Sequence, residues 1–168
     1  MGVLIVVESS FGNTRHLAEA IATGLTDKGR DCRIVRVDAA PLEIPRDVRL
    51  LLIGGPTHDQ GMSTSGSRAR MLAEGGELTP TIGLQDWIGQ LTPSTDLPIR
   101  TFDTRSAAKF LPSTARIAAR ELKRRGFLGA KTGESFLVIE GEPPRIADGE
   151  TERATEWGRY LAGQLRPF

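Results

Sequence analysis

The residues best suited to chemistry on a ligand are Ser9-Ser10-Phe11-Gly12-Asn13-Thr14. Three hydroxyls, a side-chain amide and a glycine fall within these six positions, and no lysine or arginine precedes Arg15. Such a set holds an anion by dipoles rather than by a formal positive charge. Ser9, Ser10 and Thr14 donate through their hydroxyls, and Gly12 lets the backbone bend and approach closely. Asn13 stands where a helix begins, and the first N–H groups of a helix lack intrahelical partners and point at any bound anion. The chemistry is the binding of one phosphate, without the Gly-x-Gly-x-x-Gly of dinucleotide sites or the Gly-Lys-Ser/Thr of P-loops. An ordinary strand-to-helix turn capped by Asn13 or Thr14 uses the same residue types, and the loop alone leaves both readings open.

Two further segments carry candidate side chains. In Gly54-Gly55-Pro56-Thr57-His58-Asp59-Gln60-Gly61-Met62-Ser63 the glycines open the backbone to a ligand and Pro56 fixes the turn. His58 is its planar side chain, facing either a ligand or solvent. The second segment is Thr101-Phe102-Asp103-Thr104-Arg105. The other histidine, His16, falls on a helix and reads as a surface residue.

These segments need elements to position them, and the sequence alternates strand and helix signals. Val3 to Val7 is a continuous β-branched run suited to a strand covered on both faces. A helix is expected from Asn13 to Lys28, with Leu17, Ala20, Ile21, Gly24 and Leu25 on one face, and Gly29 suits its stop. Cys32 to Val37 reads as a second strand, at an edge because Arg33 and Arg36 guard it. Further strands are expected at Leu50 to Gly54, Pro98 to Phe102 and Ser135 to Glu140. Further helices are expected at Gln85 to Leu91, at Ser113 to Arg125 with Ser113 as N-cap, and at Gly149 to Leu165 with Asp148 as cap. Residues 63–84 read as one long connection rich in Gly, Ser, Thr and Pro, mobile or functional. The pattern implies a single α/β domain over residues 1–168, with helices on both faces of a parallel sheet. Five strands fit the doubly wound order 2-1-3-4-5, in which ligands sit beyond the carboxyl ends of the strands, at the switch point between strands 1 and 3. The first loop occupies that place.

Glu8-Ser9-Ser10-Phe11-Gly12-Asn13-Thr14 resembles the FMN-phosphate loop of flavodoxins, with Phe11 where the common pattern has Thr or Ser. Gly54-Gly55-Pro56-Thr57-His58 resembles the Gly-x-Pro-Thr loop that flanks the isoalloxazine ring in flavodoxin-like proteins. Phe102-Asp103-Thr104-Arg105 and the tail from Gly149 to Gly158 resemble a subgroup of small flavodoxin-like proteins, so the resemblance spans nearly the whole chain. It implies a flavodoxin-like fold, FMN as cofactor, and FMN contacts from Ser9, Ser10, Phe11, Gly12, Asn13, Thr14, Pro56, Thr57, His58, Asp59, Gly61, Phe102, Asp103, Thr104 and Arg105. Within that picture Asp103 either repels a reduced, anionic flavin or pairs with Arg105, and Arg105 either forms that pair or meets a nicotinamide phosphate. No aromatic sandwich for the flavin is visible: Trp87 and Trp157 read as helix packing residues, and Tyr160 lies in the last helix.

The implied function is electron transfer, with a redox partner protein or a small-molecule electron donor or acceptor as partner. The same fold also hosts FMN-dependent NAD(P)H oxidoreductases acting on quinones, and a degenerate version binding no flavin is a further alternative. Response regulators share the architecture but need several carboxylates after the first strand, where this chain has only Glu8. A net charge of +1 argues against nucleic acid as the main partner. No apolar run approaches a membrane span, the Val3–Val7 run is too short for a secretory signal, and the single Cys32 cannot form an internal disulfide. A cytoplasmic location is expected. Arg116, Arg120, Lys123 and Arg124 share one helix face, which reads as a solvated face or as a docking face for an acidic redox partner.

Overall fold

The computed structural model describes residues 2–58, 61–76, 81–94, 96–107 and 112–165. Its strands are β1 (Val3–Val7), β2 (Cys32–Arg36), β3 (Leu50–Pro56), β4 (Ile99–Ser106), β5 (Ala130–Ile139) and β6 (Arg145–Ile146). Its helices are α1 (Asn13–Asp27), α2 (Ser65–Ala73), α3 (Leu84–Gln90), α4 (Thr114–Arg124) and α5 (Glu150–Gln164). The sheet order is β2-β1-β3-β4-β5-β6. The first five strands run parallel, as the sequence implied. The sixth is a correction: two residues of β6 pair antiparallel with the end of β5.

β1 is buried along its whole length because both of its faces are covered. Val3, Ile5 and Val7 pack with Leu17, Ile21 and Leu25 of α1 and with Trp157 and Leu161 of α5. Leu4 and Val6 face the opposite layer, with Leu84, Trp87 and Ile88 of α3 and Ala118 and Leu122 of α4. Each such aliphatic residue contributes about 1.5–3 kcal/mol on full burial. The expected apolar face of α1 is therefore the observed one. α1 and α5 meet at backbone distance: a Cβ on Gly158 would lie 2.2 Å from the Ile21 carbonyl oxygen.

Three other expectations change. β4 runs four residues further than Phe102, so Asp103, Thr104 and Arg105 belong to the strand rather than to a loop. Residues 63–84 are not one loop: α2 lies inside them, started by a capping box between Thr64 and Ser67, while residues 77–80 lie outside the described ones. α5 is capped by Gly149 in a left-handed conformation rather than by Asp148, whose carboxylate pairs with Arg145.

Candidate functional site

At the carboxyl ends of β1, β3 and β4 the structure forms a cleft of about 530 Å³, within the range of small-molecule sites. Its floor is the first loop. Gly12 adopts φ +80° as N-cap of α1, a conformation that favours glycine, and no side chain caps that helix end. The approach nearest to a cap is a 3.4 Å contact from the Arg15 N–H to Ser9 Oγ. Ser10 is 4 % exposed, and its Oγ has no hydrogen-bond partner among the described residues. Thr14 is buried, with Oγ1 3.0 Å from Thr104 Oγ1, which ties the loop to β4. Asn13 is already engaged: its Nδ2 donates to the Pro144 carbonyl at 2.9 Å and holds the turn before β6 against the helix.

Ser9, Ser10, Phe11, Asn13, Thr14, Pro56, Thr57, His58, Thr104 and Arg105 all line this cleft. Fifteen positions from three segments were candidates, and these ten converge. Gly12 sits behind them in the backbone turn. Gly61 pairs with His58 through two N–H to carbonyl bonds of 2.8 and 3.0 Å, at φ +103°. Asp59 lies outside the described residues.

Phe102 and Asp103 do not line the cleft. Phe102 points into the α1–α5 layer, edge-on to Phe136 and Trp157. It also explains Gly54, where a Cβ would fall 2.1 Å from the Phe102 ring, so that glycine serves the core. Asp103 is fully buried and does not pair with Arg105. Its Oδ2 accepts from Thr57 Oγ1 at 3.0 Å, Ser113 Oγ at 2.6 Å and the Ala115 N–H at 3.0 Å. It fastens the start of α4 to the loop after β3.

His58 does not swing free. Its Nδ1 is 2.8 Å from Ser67 Oγ, and that hydroxyl also accepts from the Thr64 N–H at 2.9 Å in the capping box of α2. The second histidine, His16, is exposed on α1. Trp87 and Trp157 are buried packing residues.

Sequence reasoning missed two walls of the cleft. One is Arg70, Met71, Ala73 and Glu74 of α2 and its end, and the other is Val138 with residues 140–144. The Pro143-Pro144 pair was a turn signal that pointed to the second. It also missed a buried polar cluster behind the first loop. Glu8 is 1 % exposed and receives the Ser63 hydroxyl and the Leu84 N–H. Arg68, also buried, donates to Ser63 Oγ at 3.0 Å and reaches Asp86 at 3.2 Å. A carboxyl directly after an all-apolar strand was the available signal.

Burial pushes the Glu8 carboxyl above its ordinary 4.5, and the Ser63 hydroxyl, the Leu84 N–H and the Arg68 guanidinium offset that only in part. The folded chain therefore binds this proton more tightly than the unfolded chain. Its contribution to stability is complete below the ordinary value and is lost as pH rises through the raised one. Glu8→Gln removes the titration. Its stability relative to the unaltered chain should climb with pH from about 4.5 and level off above the raised value. Urea unfolding of both chains from about pH 4 to about pH 8 checks this slope, and a flat difference would mean that Glu8 titrates as it does unfolded.

No protein-family model matches the sequence, and no curated protein sequence matches it. Solved structures match its fold. Oxidised Flavodoxin 1 from Bacillus cereus superposes with a TM-score of 0.73 at 15% identity, over 99% of this chain and 100% of that one. A flavodoxin from the domain Archaea gives 0.67 at 15% identity, over 98% of both chains. The flavodiiron protein from Giardia intestinalis gives 0.63 at 15% identity, over 97% of this chain and 36% of that one. The chain thus has the flavodoxin-like fold. Among the described residues no helix is long and apolar enough to cross a membrane.

Proposed function

We propose that this chain, as one domain of residues 1–168, binds FMN and serves as an electron-transfer protein in the cytoplasm, exchanging electrons with a redox protein or a small donor or acceptor. The observation that carries the reading is Ser10 Oγ, buried without a partner among the described residues, beside the uncapped N-terminus of α1. A buried hydroxyl without a bond costs free energy, and a phosphate at this position would accept its hydrogen. Ser9, Thr14 and the first N–H groups of α1 supply further donors around the same point.

Above that cradle, Pro56, Thr57 and His58 form one wall for a flat ring, and Thr104 and Arg105 form another. Phe11, Met71 and Val138 give it apolar surface. Bound FMN would supply the redox chemistry. The protein's part is to anchor the phosphate, exclude water and set polar groups against the ring. His58 is held for this by Ser67. Ser67 is committed to the helix cap, so the pair reads as positioning rather than as a nucleophile and its base.

The cradle has donors for one phosphate and lacks a dinucleotide fingerprint, so FMN should bind at least about tenfold more tightly than riboflavin, since each charge-assisted bond contributes roughly 1.5–3 kcal/mol. Fluorescence titrations with FMN, FAD and riboflavin test it. Equal affinity for FMN and riboflavin would remove the phosphate from the site.

A further inference from the structure

We propose that the exposed face of α4 is the docking surface for an acidic protein. This rests on the electron-transfer reading, because it names the kind of partner that would approach the cleft. Arg116, Arg120, Lys123 and Arg124 are exposed and recur at helical spacing on one face. Arg124 pairs with Glu121 at 3.1 Å. The side chains of Arg116, Arg120 and Lys123 make no hydrogen bond or ion pair with a described residue.

Other helices of the chain are built differently. On α1, Arg15 meets Glu19 at 3.2 Å. On α5, Arg153 meets Glu134 and Glu150, and Arg159 meets Asp27 at 2.6 Å. Like charges four residues apart weaken a helix, and Arg116 and Arg120 are so placed without an intervening acid. On α4 three such unpaired positive side chains therefore stand together on one helix face. A one-signed patch steers a partner of opposite sign and fixes its orientation.

The patch starts at the cleft. The Thr114 N–H donates to Thr57 Oγ1 at 3.1 Å, and Thr114 Oγ1 donates to the Pro56 carbonyl at 3.0 Å. Both partners line the cleft, and Arg116 follows within one helical turn. A protein seated on α4 would therefore rest on a helix whose first turn is bonded to that wall of the cleft. The patch is too small for nucleic acid, where affinity grows with the number of phosphates neutralised. It also lacks the apolar face of a membrane-surface helix, because Ala115, Ala118, Ala119 and Leu122 are all buried.

The test is a titration of the isotope-labelled full chain, with and without FMN, followed by amide chemical shifts. A plant-type [2Fe–2S] ferredoxin serves as the acidic probe and cytochrome c as the basic control. The expected result is a footprint on residues 114–125 and on the loop after β3, with affinity that falls as salt is added. Cytochrome c should leave no such footprint. The triple variant Arg116→Glu, Arg120→Glu, Lys123→Glu should bind the ferredoxin at least about tenfold more weakly while keeping its affinity for FMN. An absent footprint, unchanged affinity in the triple variant, or equal or tighter binding of single-stranded DNA or phosphatidylserine vesicles would overturn the proposal. A chain that holds no FMN yet shows the footprint would refute the flavin reading and leave the docking surface standing.

Discussion

Replacing Asp103 by alanine should cost about 4 kcal/mol of folding stability, since three hydrogen bonds to one buried carboxylate are lost at roughly 1.5–3 kcal/mol each and part of that is recovered by relaxation. The carboxylate is fully buried, and its Oδ2 gathers the hydroxyls of Thr57 and Ser113 and the N–H of Ala115. Alanine would leave all three donors facing a small void. Ser113 is also the N-cap of α4, accepting from the Arg116 N–H at 3.2 Å, so the helix start would loosen with it. For a chain of this size the loss corresponds to a melting temperature lower by on the order of 10 °C. Asp103→Asn can hold its carbonyl oxygen at the Oδ2 position and accept the same three bonds without the charge, with its Nδ2 at the Oδ1 position, so it should fall between the two. Urea unfolding of the three chains checks the order. An alanine variant within about 1 kcal/mol of the unaltered chain would show that these bonds add nothing net.

That carboxylate also shows where the sequence was legible and where it was not. β1 and α1 could be read because each has one strong signal: an apolar run covered on both faces, and a stripe of Leu17, Ile21 and Leu25 followed by a glycine stop. The phosphate loop follows from their junction. Asp103 was misplaced because the apolar signal of β4 stops at Phe102, while hydrogen bonding to β3 and β5 continues to Thr104 and Ser106. Inside a strand, neighbouring side chains take opposite faces. Phe102 therefore goes to the α1–α5 core, Asp103 to α4, and Thr104 back toward Thr14. A loop assignment loses that alternation.

Other parts carried no local signal to read. α2 buries only Arg68 among its residues, so it has no apolar stripe, and its capping box uses Ser67 where Glu or Gln is the usual sign. β6 is two residues long, and β5 is half exposed beside it. The cleft walls from α2 and from Val138 with residues 140–144 are brought to the first loop only by the tertiary fold. Asn13 reaching Pro144 is one such contact. Glu8 and Arg68 were separately visible as charges, but their shared burial depends on the approach of α2 and α3 to the end of β1.

Substituting Ser10 should move stability and ligand affinity in opposite directions. Its Oγ is buried without a hydrogen-bond partner among the described residues, and a buried hydroxyl left unbonded costs about 1–3 kcal/mol relative to a bonded one. Ser10→Ala removes the orphaned group and leaves a methyl of nearly the same size. The flavin-free variant should therefore be as stable as the unaltered chain or more so. FMN affinity should fall by roughly ten- to a hundredfold, since a hydroxyl-to-phosphate bond worth about 1.5–3 kcal/mol is lost at 1.4 kcal/mol per factor of ten. Adding Thr14→Ala removes a second donor, and the double variant should bind FMN two to four orders of magnitude more weakly, at roughly 3–6 kcal/mol for the pair. Thr14 alone is the less clean probe, because its hydroxyl already meets Thr104 at 3.0 Å and its loss unsettles β4 as well. Fluorescence titration with FMN and urea unfolding without it give the two numbers. A serine that merely supports the turn would lower both together when replaced. A serine aimed at a phosphate lowers only the affinity, and unchanged FMN binding in Ser10→Ala would take the first loop out of the site.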